Sequence, residues 1–342
     1  MSGEARARAA AVRRAAAVML GAGAALGVLA WLNYWARRAA GPVPRWGDGE
    51  PHFYQWRDGA VYYEAAGPED GRPLLLIHGI NAAASGYEMR RIFEPLAAAG
   101  FRVYLPDLLG FGRSERPRLA YTADTYVDLW CDFARDVAGA GDGGRAGVIA
   151  SSLSAAHAVK AAARHPERFG GLLLICPTGI EALQTQPGLP GRLLRELLDS
   201  PVLGTALFNL LVTRTSLAAF LRRLAYAEAG RVTPELVSDY YEVSHQPGAK
   251  WAPEAFVSGY LNCAIADDFR SLPNPVHLVW GRAATITPLA QARAFRSLRP
   301  DADLAVIDGA SLLPHDEQPA AFIDAALRAL AVGGPDDIWT AP

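Results

Sequence analysis

Residues 15–36 run for 22 positions without a charge, with Asn33 the one strongly polar member, and the chain then changes to short apolar runs separated by helix-like stretches. As a helix, the first stretch is long enough to cross a bilayer, at ~1.5 Å per residue against an apolar core of ~30 Å. Residues 39–50 hold Gly41, Pro42, Pro44, Gly47 and Gly49, which predicts an irregular linker. Next, Val61-Tyr62-Tyr63 behind the Asp58-Gly59 turn signal predicts a β-hairpin that opens the body. Apolar runs follow at 74–77, 103–105, 147–150 and 172–176, and after a long gap at 276–280 and 304–307. Strands apolar on both faces are covered on both sides, so the pattern predicts an α/β body with a mostly parallel, doubly wound sheet. The gap, from Ile180 to about Asp268, is helix-patterned and predicts an inserted cap. The organisation expected is a basic segment over 1–14, a transmembrane anchor over 15–36 and a linker over 37–50. A core in two parts, 51–179 and 269–332, then surrounds a helical cap over 180–268, and a tail occupies 333–342.

Arg13-Arg14 and Arg37-Arg38 bracket the apolar stretch, and Trp31, Tyr34 and Trp35 suit an interfacial aromatic belt. These flanks favour a single-pass N-terminal membrane anchor. A cleaved secretory signal is the alternative, although Tyr34-Trp35-Ala36-Arg37 is bulky and charged where a cleavage site wants small residues. Arg6, Arg8, Arg13 and Arg14 before the stretch, against Arg37, Arg38 and Arg45 after it, bias the N-terminus only weakly toward the cytoplasm and leave the side of the membrane open.

The chain has 342 residues, 51% of them hydrophobic, which is enough for one large core or a core with a cap. A net charge of -2 lacks the basic excess that a phosphate backbone demands, which excludes nucleic acid as a partner. Cys131, Cys176 and Cys263 are odd in number and far apart, so they form neither a disulfide framework nor a metal pair and read as buried small hydrophobes. No H-E-x-x-H spacing occurs, and no G-x-G-x-x-G follows a strand, so no metal or other cofactor is implied.

Three motifs follow predicted strands and a fourth opens the last helix. They are His78-Gly79-Ile80, then Asp107-Leu108-Leu109-Gly110-Phe111-Gly112-Arg113-Ser114, then Ala150-Ser151-Ser152-Leu153-Ser154, and last Pro314-His315-Asp316-Glu317-Gln318-Pro319. In this order and spacing they resemble the α/β-hydrolase superfamily over about residues 54–332. The resemblance implies the α/β-hydrolase fold and places Ser152 at the nucleophile elbow, with Ala150 and Ser154 where the family has glycines. It also assigns the oxyanion donors to the backbone N–H groups of Ile80 and Leu153.

The same resemblance withholds the partners of the serine. Gly281 and Pro288 stay in register with W-G-x-x-D-x-x-x-P, which puts Ala284 where the acid belongs, and no carboxylate occurs in 281–288. The stretch 311–319 aligns with G-H-x-P-H-x-E-x-P and puts Leu312 where the catalytic histidine belongs. An isobutyl group accepts no proton. His315, which aligns with the motif's second histidine, and His245 in the cap are the candidate substitute bases. Glu181, Asp267 and Asp268 are the candidate acids. The apolar positions 203, 207, 208, 210, 211, 217, 220, 221 and 224 predict cap packing and an apolar roof for a lipid-like ligand. The function expected is hydrolysis of an ester or related acyl bond of an apolar small molecule through Ser152. The alternative is a catalytically inactive relative that binds a lipid, a small ligand or a protein.

Overall fold

The computed structural model of the protein describes residues 3–47, 49–140 and 144–331. Eight strands form one sheet: β1 (Glu50–Trp56), β2 (Gly59–Ala66), β3 (Arg72–Ile77), β4 (Phe101–Pro106), β5 (Ala146–Ser151), β6 (Phe169–Ile175), β7 (Val276–Gly281) and β8 (Asp303–Ile307). Their spatial order is β1-β2-β4-β3-β5-β6-β7-β8. The hairpin β1–β2 and the β2–β4 pair are antiparallel, and every later pair is parallel. Every residue of β5 and β6 is buried, so helices cover both faces there and the continuous apolar runs have their explanation.

The helices are α1 (Gly3–Arg38), α2 (Arg90–Ala98), α3 (Ala123–Asp136), α4 (Ser152–Arg164), α5 (Leu189–Asp199), α6 (Leu203–Leu211), α7 (Arg214–Phe220), α8 (Pro234–Ser244), α9 (Trp251–Val257), α10 (Ala266–Ser271), α11 (Ala292–Leu298), α12 (Pro314–Glu317) and α13 (Pro319–Ala331). Their starts follow local chemistry. Thr122 and Thr125 form a reciprocal cap on α3, and the Thr233 side chain caps α8, whose first residue is Pro234. On α2, Ile92, Phe93, Leu96 and Ala97 face the core.

Helices α5 to α9 form the insertion between β6 and β7. This cap has a hydrophobic cluster of its own, which includes Phe208, Leu217, Leu221, Val237 and Tyr240 and closes against Leu313 of the body. Helix α1 runs from Gly3 to Arg38, so the described residues of the basic segment and the apolar stretch form one helix. The tail expected at 333–342 lies outside the described residues. The three cysteines are buried and unbridged.

Candidate active site

The turn from β5 into α4 sets Ser152 in the left-handed region, at φ 55°. An L-residue there costs roughly 1–2 kcal/mol, which the surrounding structure must offset. Ala150 and Ser154 are fully buried, and their small size lets strand and helix approach closely. Behind the turn, the His157 ring hydrogen-bonds to Leu261 O at 2.8 Å and stacks on Tyr126, which fixes α4. The Leu153 amide lies in the first turn of α4, where N–H groups have no intrahelical acceptor.

The second wall of the site is the loop after β3. Buried His78 receives the Leu108 N–H on Nε2 at 3.0 Å, so Nδ1 carries the proton and donates to Gly79 O at 2.7 Å. Burial lowers its pKa to about 4, so the ring stays neutral. This bond ties the loop carrying Ile80 to the loop after β4. There the buried Asp107 carboxylate accepts from Gly86 N at 2.6 Å and Arg113 N at 2.7 Å. At Gly112, φ is +52° and a Cβ would stand 2.0 Å from the Asp107 carboxyl carbon, so that position needs glycine. Among the described residues, neither the Ile80 nor the Leu153 amide has an acceptor.

Between these walls is a cavity of about 290 Å³. Ser152, Ile80, Thr178, Phe220, Tyr240 and Leu312 contribute to its lining, and so do Glu88 and Ser151. The sequence reading passed over Glu88. Its carboxylate accepts the Gly79 N–H at 2.5 Å and a hydrogen bond from the Ser151 hydroxyl. Burial raises its pKa to about 7, against an ordinary 4.5. The sequence held one signal for it. Glu88, Ile92 and Leu96 stand four residues apart, so the carboxylate falls in register with the buried stripe of α2.

The predicted partners fall in several places. Leu312 lines the cavity, and its N–H donates to Ala225 O of the cap at 3.1 Å. Ala284 is buried in the loop after β7, whose Ile286 and Thr287 reach the cavity. His245 does not reach down to Ser152. Its ring stacks on Tyr241 at 3.8 Å, its Nδ1 donates to Tyr241 O at 2.9 Å, and it faces a different cavity between the cap and α1. His315 is fully buried and does not line the Ser152 cavity; its Nε2 stands 3.9 Å from Glu88 Oε1. Burial lowers the His315 pKa to about 4, and neither ring nitrogen has a hydrogen-bond partner among the described residues. Glu181 is exposed, Asp267 pairs with Arg270 at 2.7 Å and Asp268 with Lys160 at 2.8 Å, so none of the three faces the serine.

Residues 74–325 match the profile of a family described as the alpha/beta hydrolase family. The chain is 30% identical over 227 residues to the 2-hydroxymuconate semialdehyde hydrolase of Pseudomonas sp. (strain CF600), which spans 64% of this chain and 72% of that enzyme. Among solved structures, a serine hydrolase involved in carbazole degradation superposes with a TM-score of 0.67 at 21% identity, covering 83% of this chain and 99% of its own. A membrane phospholipase A gives 0.66 at 21% identity over 96% of this chain and 98% of its own. Likenesses of that identity speak for the fold.

Proposed function

We propose, from the premise that this chain belongs to the alpha/beta hydrolase family, that it is a membrane-anchored hydrolase cleaving an ester or related acyl bond of an apolar small molecule through Ser152. One observation carries the reading: Ser152 holds the strained elbow conformation at the mouth of α4 and faces a mainly apolar cavity beside two unengaged amides. Backbone strain of this kind concentrates at functional sites.

As the proton acceptor we take Glu88, the one carboxylate among the described residues lining the cavity, reached from Ser152 directly or through one water. As Ser152 Oγ bonds to the acyl carbon, its proton passes to the Glu88 carboxylate, and the carbonyl electron pair moves onto oxygen, where the Ile80 and Leu153 N–H groups stabilise it. Collapse breaks the bond to the leaving group, which takes the proton from Glu88. Water then attacks the acyl-serine by the same route in reverse. Gly79 N–H and the Ser151 hydroxyl orient the carboxylate, and the neutral imidazole of His315 stands behind it. The helix Val18–Arg38, long and apolar enough to cross a bilayer and standing almost wholly outside the body, supports the anchor.

A series of p-nitrophenyl esters tests this. Turnover should rise from acetyl to medium acyl chains, and Ser152→Ala should lower it by about 10²-fold or more. The second reading, binding without catalysis, is favoured by Leu312 and by a cavity lining without an imidazole. It predicts that Ser152→Ala leaves fatty-acid binding intact while neither protein turns over any ester.

A further inference from the structure

The cap carries a second apolar surface on its outside. On α5, Leu189, Leu193 and Leu197 recur every fourth residue and are 69%, 56% and 42% exposed, forming one stripe. The other side of this helix end is fixed to the cap. Lys250 Nζ donates to Leu198 O at 2.6 Å and to Ser200 O at 3.0 Å, so the stripe is held outward. Helix α6 packs beside α5 and leaves Leu210 and Leu211 68% and 51% exposed. Scattered exposed leucines are ordinary on a soluble surface; a stripe on one helix joined to leucines on the next is not.

The position of this surface relative to α1 says what covers it. Asn33, the one strongly polar residue of the apolar stretch, is buried against the cap. Its Nδ2 donates to Val202 O at 3.0 Å, and its Oδ1 accepts from Asn209 Nδ2 at 2.9 Å. Leu29, Leu32 and Ala36 of α1 share a cleft with Leu203, Leu207 and Leu210 of α6. Helix α6 is therefore locked at the depth of the last two turns of the apolar stretch. Trp31, Tyr34 and Trp35, each at least half exposed, occupy the same level, and aromatic residues of this kind seat at the boundary of headgroups and acyl chains. A span of residues 15–36 that fills a ~30 Å core leaves its final eight residues, about 12 Å of helix, in the outer part of that core. The leucines of α6 sit at that depth and cannot turn away while the asparagine clasp holds, and α5 is carried with them by its packing on α6.

We infer that the leucine face of α5 and α6 is a membrane-contact surface, seated in the phospholipid leaflet that α1 enters. The inference rests on the reading of α1 as an anchor, and it gives the cap a second attachment to the membrane. The same cap supplies Phe220 and Ala225 to the Ser152 cavity and turns Leu224, between them and 42% exposed, outward.

Environment-sensitive nitrobenzoxadiazole labels on the full chain in phosphatidylcholine vesicles test the surface, since the native cysteines are buried. The labelled variants are Leu193→Cys and Leu210→Cys on the face, Leu20→Cys within α1, and Asp70→Cys at the opposite end of the strands. Lipids carrying a nitroxide on the acyl chain should quench the labels at 193, 210 and 20 strongly and the label at 70 little. Quenching at 20 with none at 193 and 210 beyond that at 70 overturns the surface and leaves the anchor standing. Quenching at 193 and 210 without quenching at 20 sinks the anchor and, with it, the proposal that the face is seated in the leaflet α1 enters. Labels at 193 and 210 shielded from water yet untouched by lipid quenchers indicate a second copy of the chain on this face and overturn the proposal.

Discussion

Glu88 and Ser152 meet at one cavity by opposite physical means. The serine is held in a backbone conformation that costs free energy, while the carboxyl is held where its charge is disfavoured. Only the ionised carboxylate can take a proton. With its pKa raised to about 7, esterase activity should rise with pH through about 7, and Glu88→Gln should lose that limb together with roughly 10² or more of the rate. A pH–rate profile of both proteins checks this; an unchanged ascending limb in the variant removes Glu88 from the mechanism. The linkage has its own sign. The folded chain keeps the Glu88 proton to higher pH than the unfolded chain, so this contribution to stability is full below about pH 4.5 and is lost as pH rises through about 7. Denaturant unfolding across that window should show the slope in the native protein and its absence in Glu88→Gln.

Among the elements, α12 braces the cap against the body. The buried Glu317 carboxylate accepts from Ser311 N at 2.6 Å and from Ala227 N at 2.6 Å, one amide from the body and one from the cap. Glu317→Gln replaces one acceptor oxygen with a donor facing a donor, and a buried unsatisfied amide costs about 1–3 kcal/mol. The expected outcome is a lowered Tm with faster hydrogen exchange at residues 225–227; unchanged exchange there contradicts the bracing role. The strands were legible because their two-sided burial writes continuous apolar runs into the chain, and the elbow because Ser152 closes one of them. The His78-Gly79-Ile80 turn was legible for the same reason. The cap's contribution was not: periodicity places His245 on a helix but does not say that it stacks on Tyr241, facing α1. Glu88 was missed because a charge on a core stripe counts as a flaw in the pattern until the cavity behind it is seen.

At the scale of the whole molecule, an apolar helix, a cap clasped to it and a serine cavity beneath the cap form one continuous arrangement. It suits a hydrolase whose substrate dissolves in the membrane, and it makes sense of a cavity lined mostly by apolar side chains. Everything in that account depends on Ser152 being an activated nucleophile. Membranes bearing the full chain should therefore be treated with a fluorophosphonate probe and the modified residue located by mass spectrometry, with Ser152→Ala in parallel. A phosphonate should be found on Ser152, and the variant should not be labelled. Absence of Ser152-dependent labelling in protein that retains its native circular dichroism and unfolding transition would contradict it.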